Sequence, residues 1–408
     1  MRNTLREIPP TAGLAMRWRD FLPSTRRSFE TGLAAALHLP TVQIECSGTA
    51  ALIVTLTALK QISMRRSVVI PAYTCPLVVR AVHHCGLRPV LCDLRPDHFD
   101  LSPRTLVNLC DDDTLAILPT HLGGRVADLA EVLVVAQHAG ARVIEDAAQA
   151  LGATWRGRPV GTIGDAGFYS LAVGKGLTLY EGGVLAVRDD ALRRHVRETG
   201  DRIVPSALTW ESRRLLQLLG YTALYRPLGL RLVYGMPLRR ALRHGRLIEA
   251  VGDDFPLAIP LHRVGGWRRA IGANALHRLP LFLETLAASA GKRKAQLGTI
   301  PGITVMGDAP DGRGTWPFLM ILMPSSQARD AALARLWPAG LGVSRLFIHA
   351  LPDYPYLASV LGDADVPNAR DFAARMLTLS NSPWMRDADF ERICSVLDES
   401  ASALRAEE

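Results

Sequence analysis

From about residue 42 to 187, short β-branched apolar runs alternate with longer segments whose apolar positions recur every three or four residues. The runs predict strands at 68–71, 89–93, 115–121, 142–146, 167–171 and 184–187. The intervening periodicity predicts helices at 49–60, 76–85, 103–110, 128–139 and 189–198. Runs such as VVIP, AILP and RVIE are apolar on both faces, as strands are when helices cover each side of a sheet. The alternation predicts an open, mostly parallel α/β sheet, and ligands of such sheets sit at the carboxyl ends of the strands. After Gly200 the pattern breaks. A helix-rich stretch over about 264–294 is followed by an expected strand at 317–323 and a helix at 327–337. Turns at 349–356 precede helices at 367–378 and 387–404. The expected organisation is a large α/β domain over 1–200, a linking insertion over 201–262 and a smaller α+β domain over 263–408.

Composition excludes several classes. With 408 residues, 48% of them apolar and 21% charged, the chain is long and apolar enough to bury a full core and too weakly charged for disorder. Neither a glycine period nor a sustained heptad is present. The formal charge of +8 is concentrated: residues 202–246 hold nine Arg against the single acid Glu211, so the remainder is balanced. In that stretch Leu215, Leu216, Leu218, Leu219, Tyr221, Leu224 and Tyr225 are interleaved with arginines and proline. A solvated or subunit-facing helical pair and a peripheral contact with anionic membrane both suit it. Nucleic acid does not, since no base-reading motif accompanies the charge. Six cysteines without a CxxC or a metal-binding Cys/His spacing read as reduced thiols, and no metal site is expected. Charge and proline interrupt the N-terminus before an apolar run develops, and the uncharged stretch 215–225 is short of the roughly 20 residues a bilayer span needs. The expected location is therefore cytoplasmic, with the inner membrane face as a peripheral site.

Three segments carry chemistry. In VQIECSGTAALIVTLTALK a strand-like run ends at Glu45 or Cys46, and Ser47-Gly48-Thr49 opens a helix whose free N–H groups and dipole favour an anion; an ordinary capped helix explains the same residues. In ARVIEDAAQALGA, Asp146 closes a strand and Gln149 follows one turn later. A carboxylate there can accept from a protonated ring nitrogen, or simply cap a helix. In GDAGFYSLAVGKGLTLYEGG, Lys175 stands five residues after Ser170 in uncharged company, where a depressed pKa would leave a nucleophilic amine; a solvated surface lysine is the commoner case. Gly176 after the lysine breaks the phosphate-loop pattern GxxxxGK[ST].

A phosphate site, an acid for a ring nitrogen and an imine-forming lysine, each just after a strand, together describe a pyridoxal phosphate (PLP) pocket. Their order resembles the DegT/DnrJ/StrS family of nucleotide-sugar aminotransferases, through SGTAAL, VIPAYTCPLVVRAV, PVLCDL, AILPTHLGG, VIEDAAQALGA and the Ser170–Lys175–Glu181-Gly182-Gly183 block. The resemblance implies PLP-dependent transferase fold type I, with a mostly parallel seven-stranded sheet in the large domain and a smaller α+β C-terminal domain. It also implies a homodimer. By it, Lys175 would hold the cofactor covalently and act as base, Asp146 would pair with the ring nitrogen, and Gln149 would lie by the ring's phenolic oxygen. Gly48, Thr49, Ala50 and Ser170 would hold the phosphate. The reaction implied moves an amino group, usually from glutamate, to a keto group on a nucleotide-linked sugar in polysaccharide or glycan synthesis.

Departures qualify the substrate more than the cofactor. Cys75 stands where the family usually stacks an aromatic ring, with Tyr73 two residues earlier as a compensating candidate. Leu261-His262-Arg263 replaces the usual Asn-Tyr-Arg, leaving Arg263 as a substrate candidate. His121, after a strand, is a second one. His83 and His84 lack ligand-spaced partners and read as surface residues. A PLP-dependent sugar dehydratase is the first alternative, opposed by Lys175, since dehydratases of the family carry histidine there. The second is a non-catalytic membrane-associated scaffold or regulator. A nicotinamide enzyme would need a GxGxxG that is absent.

Overall fold

The computed structural model describes residues 6–23, 28–255 and 258–403. Seven strands form the main sheet: β1 (Gln43–Glu45), β2 (Ser67–Pro71), β3 (Arg88–Cys92), β4 (Thr114–Ile117), β5 (Arg142–Asp146), β6 (Ala166–Ser170) and β7 (Gly183–Val187). Their order is β1-β7-β6-β5-β4-β2-β3; β7 runs antiparallel to both neighbours and the pairs among β2 to β6 are parallel. Pleating sends alternate side chains into opposite cores: Ile144, Phe168 and Leu185 join one cluster, while Tyr169, Val184 and Ala186 join another. Both faces are covered, which explains why the strands read as continuous apolar runs.

Strand β4 stops at Ile117, short of the predicted residue 121. Pro119 has no N–H to extend the ladder, and the chain keeps only a bridge between Thr120 and Asp146, supported by His121 N–H donating to the Asp146 carbonyl at 2.9 Å.

A second sheet consists of β8 (Thr304–Val305), β9 (Phe318–Leu322), β10 (Val343–Ser344) and β11 (Met376–Ser380), in the order β8-β9-β11-β10 and antiparallel throughout. Helices Ser326–Leu336 and Asp387–Ala403 pack on it, through Leu336, Ile393 and Leu397 against Leu319, Ile321 and Leu377. The predicted helix over 367–378 ends at Arg375, and the next five residues are β11. All five are buried, so MLTLS has no period-two signature to separate it from the helix before it. Leu404, the last residue of the expected terminal helix, lies outside the described residues.

The basic stretch is helical: Leu208–Leu224, then a continuous run over 227–243 with a π turn at Arg231–Gly235, then Leu247–Val251. Leu218 is buried with the large sheet's core, whereas Leu238, Ala241 and Ala250 are buried with the small sheet's. Among the described residues no helix is long and apolar enough to cross a membrane. The six cysteines are unpaired, and no group of three or more His, Cys, Asp or Glu is placed to hold a metal among the described residues.

Candidate active site

Glycine at 183 shapes the carboxyl edge of the sheet. Gly183 begins β7, opposite Glu45 of β1 and Ser170 of β6. A Cβ there would fall 2.7 Å from the Gly48 nitrogen and closer still to the Ser47 carbonyl. Its absence lets the helix Gly48–Gln61 rest its N-terminus on the strand ends. Ser47 Oγ caps that helix by accepting from the Ala50 N–H at 3.0 Å. Among the described residues the Gly48 and Thr49 N–H groups have no protein acceptor, and they border a cavity of about 490 Å³. Ala50 does not join them, because its N–H is spent on the cap and it is fully buried away from the cavity.

Asp146, at the end of β5, and Lys175, in the loop after β6, line this same cavity together with Gln149, Ser170, Cys75 and His121. Asp146 is 4% exposed and accepts from the Ala148 N–H at 3.1 Å. Burial raises its pKa, opposed by that hydrogen bond and by the charge of Lys175. Burial conversely lowers the Lys175 pKa, against the pull of Cys75 and Asp146. Lys175 is thus biased toward the neutral amine that attacks carbonyls. Gln149 Oε1 accepts from the Gly123 N–H at 2.7 Å, which fixes its amide at the rim. Cys75, at the N-cap of Pro76–His84, has its thiol pushed up to about 12 by burial and remains protonated.

Three candidates lie elsewhere or are otherwise engaged. Tyr73 turns away from the cavity: its hydroxyl donates to the Phe347 carbonyl at 3.0 Å and accepts from the Phe347 N–H at 3.1 Å, and its ring packs against Phe372. It joins the two sheets rather than stacking on a ligand: β2 ends at Pro71 and the chain bends over 72–74, so the two-residue alternation that would have set Tyr73 on the same side as Cys75 does not apply. Arg263 points outward, pairing with Asp201 at 3.1 Å and donating to the Val204 carbonyl. Its neighbour His262 instead donates from Nε2 to Glu181 at 3.3 Å, and Glu181 also holds Arg214 and borders the cavity. His121 remains in the wall, yet both ring nitrogens are taken. Nδ1 accepts from the Ala127 N–H at 3.1 Å, so Nε2 carries the proton and donates to Glu145 at 3.1 Å.

Glu145 is the residue that sequence reasoning missed. A strand this apolar hosts two carboxylates because they leave opposite faces. Asp146 faces the cavity, and Glu145 is buried beneath it, accepting from the N–H groups of Gly161, Ile163 and Gly164 at 2.6, 2.6 and 2.7 Å. Four donors compensate its desolvation and tie the loop before β6 to β5. The far wall was also unforeseen: Tyr234, Val251, Asp253 and Phe255 of the linking insertion and Arg345 of the small domain all reach the cavity. Asp253 is held there by Tyr354 Oη and the Ile348 N–H, at 2.6 and 3.0 Å. No local pattern marks these positions, since only long-range packing brings them in.

The donor set fits PLP. Backbone N–H groups at a helix start, with the Thr49 and Ser170 hydroxyls beside them, suit a phosphate; a buried carboxylate suits a ring nitrogen; a neutral amine suits an aldehyde.

The family model of the DegT/DnrJ/EryC1/StrS aminotransferases matches residues 17–210 and 263–398. The GDP-perosamine synthase of Caulobacter vibrioides is 29% identical, covering 87% of this chain and 85% of its own. A Streptococcus pneumoniae protein assigned as a sugar aminotransferase, solved in its PLP form, superposes with a TM-score of 0.75 at 18% identity, over 98% of this chain and 99% of its own. DesI, solved in the presence of its TDP-sugar product, gives 0.73 at 20% identity, over 99% and 96%. The shared fold is that of PLP-dependent transferases of fold type I.

Proposed function

The chain belongs to the DegT/DnrJ/EryC1/StrS aminotransferase family, whose members depend on PLP, and from that premise we propose that it transfers an amino group from an amino acid, glutamate in the first instance, to a keto group on a nucleotide-linked sugar. The carrying observation is the single cavity bordered by Lys175, Asp146 and the open N-terminus of Gly48–Gln61. When bound, the cofactor supplies an electron-poor ring that spreads the charge left by a breaking C–H bond. Lys175 Nζ would hold the cofactor at its aldehyde carbon and, when its amine is free, would serve as the base that moves a proton. Asp146 would keep a proton on the ring nitrogen. Gly48, Thr49 and Ser170 would hold the phosphate, and Gln149 would lie beside the ring's phenolic oxygen.

The names of the relatives support the acceptor class: one makes GDP-perosamine and another was solved with a TDP-sugar product. They differ in base, so the nucleotide is left to experiment. The proposal includes a homodimer and a peripheral site at the inner membrane face through 202–246. The test is incubation of the holoenzyme with glutamate and a panel of nucleotide keto-sugars, following 2-oxoglutarate. Release that depends on one acceptor supports the reading, and no release with any acceptor or donor removes it. Sedimentation of the holoenzyme tests the dimer.

A further inference from the structure

The basic stretch has an unusual distribution of apolar side chains. In the helix Leu208–Leu224, Leu218 is buried and Leu215 and Tyr221 pack against the large core, while Leu208 and Leu216 are exposed. The run over 227–243 gathers more exposed aliphatic side chains into one stripe. Leu230, Leu238 and Ala241 are buried, which anchors it to the molecule, yet successive turns leave Leu228, Leu232, Val233 and Met236 more than half exposed. A helix already seated on a core has no internal need for a second apolar face.

Basic side chains flank that face. Arg226 precedes it and Arg240 and Arg243 follow it; all three are exposed, and among the described residues none has a carboxylate partner. Arg239, on the inner side, is already paired with Glu7 at 2.8 Å. Arg213, on the helix Leu208–Leu224, is likewise exposed without a carboxylate partner among the described residues, but Arg226, Arg240 and Arg243 are the ones beside the exposed aliphatic stripe.

We propose that the run over 227–243 lies in the plane of an anionic lipid surface, with Leu228, Leu232, Val233 and Met236 in the acyl boundary and Arg226, Arg240 and Arg243 on headgroup phosphates. This deepens the peripheral location given above and rests on it alone, not on the transamination chemistry. Charge complementarity selects the occupant. A second copy placed isologously would set one +8 stretch against another, so like charges would oppose the contact. The family model does not match residues 211–262, so this face lies outside the segments by which the family is recognised. Aliphatic rather than base-stacking side chains on the stripe argue against single-stranded nucleic acid. An in-plane helix needs no membrane span, and none is present among the described residues.

The experiment is flotation of the full-length holoprotein with vesicles of phosphatidylcholine alone or of phosphatidylcholine and phosphatidylglycerol, at low and high salt. The protein should float with the anionic vesicles, less so at high salt, and remain behind with the neutral ones. Replacing Arg226, Arg240 and Arg243 together by Gln should weaken partitioning about a hundredfold, at roughly fivefold for each basic residue near the surface. Leu232→Ser with Met236→Ser should weaken it by at least about tenfold per side chain even at low salt. Both variants should keep the parent's circular dichroism and amino-transfer rate, because none of these residues borders the cavity. Absence of flotation overturns the proposal, as does equal flotation with neutral vesicles. So does a fall in sedimenting mass of the Leu232/Met236 variant with no change in flotation, which would assign the stripe to a second copy.

Discussion

Replacing Asp146 by Asn separates chemistry from folding. The carboxylate is 4% exposed and accepts one intramolecular hydrogen bond, from the Ala148 N–H at 3.1 Å. The amide oxygen of Asn can keep that bond. A charged acceptor is worth about 1.5–3 kcal/mol and a neutral one about 0.5–1.5, so the exchange forfeits roughly 1 kcal/mol. Against this, the carboxylate is desolvated strongly enough to raise its pKa, a cost the amide avoids. The two effects offset, and the expected change in stability is within about 1 kcal/mol, or about 2 °C in melting temperature for a chain of this length. Catalysis has no such compensation. An amide bears no negative charge to hold a proton on the ring nitrogen, and removing one preorganised electrostatic partner in a closed site costs about 10²–10³ in kcat. The assay is kcat and KM for amino transfer by the holo variant, beside melting curves of the same preparations. A kcat within tenfold of the parent at unchanged melting temperature would refute the assignment of Asp146 to the ring.

Lys175→Ala should leave PLP bound only by non-covalent contacts, so borohydride should fix no cofactor to the peptide that carries this position, whereas it does so in the parent. Because burial lowers the Lys175 pKa, cofactor capture by the apoprotein should rise with pH and level off below 10.5, the ordinary lysine value. In the window between the folded pKa and 10.5 the unfolded chain binds the extra proton, so this group makes apoprotein stability rise with pH there; a fall in both quantities would contradict the burial of the amine. Gly183→Ala places a Cβ 2.7 Å from the Gly48 nitrogen, which should cost about 1–3 kcal/mol of stability and weaken PLP binding at least tenfold by equilibrium dialysis. Tyr73→Phe strands the N–H and C=O of Phe347 and should cost about 1–3 kcal/mol in denaturant unfolding, with the visible absorbance of the bound cofactor unchanged.

The sequence by itself determined the order of the elements and the register of the chemistry along it. Strands covered on both faces must be apolar throughout, glycine is required where a helix start meets the sheet, and a lysine among uncharged neighbours stands out; each is a local requirement that leaves a local mark. For that reason the ends of the predicted strands already carried Ser47, Asp146 and Ser170. Tertiary structure decided which residues face one another. Tyr73 and Cys75 differ by two positions, yet one joins the domains and the other the cavity. Ala50 follows Thr49, but its N–H is claimed by the cap. Glu145 could be buried beside Asp146 only because a loop from beyond β5 folds back to offer three N–H groups and His121 offers a fourth donor. The far wall, from Tyr234 to Arg345, comes from segments 59 or more positions beyond the lysine it faces. Periodicity records which side of an element is apolar, not which distant side chain will meet it; that choice is made by packing, when desolvated groups must find partners.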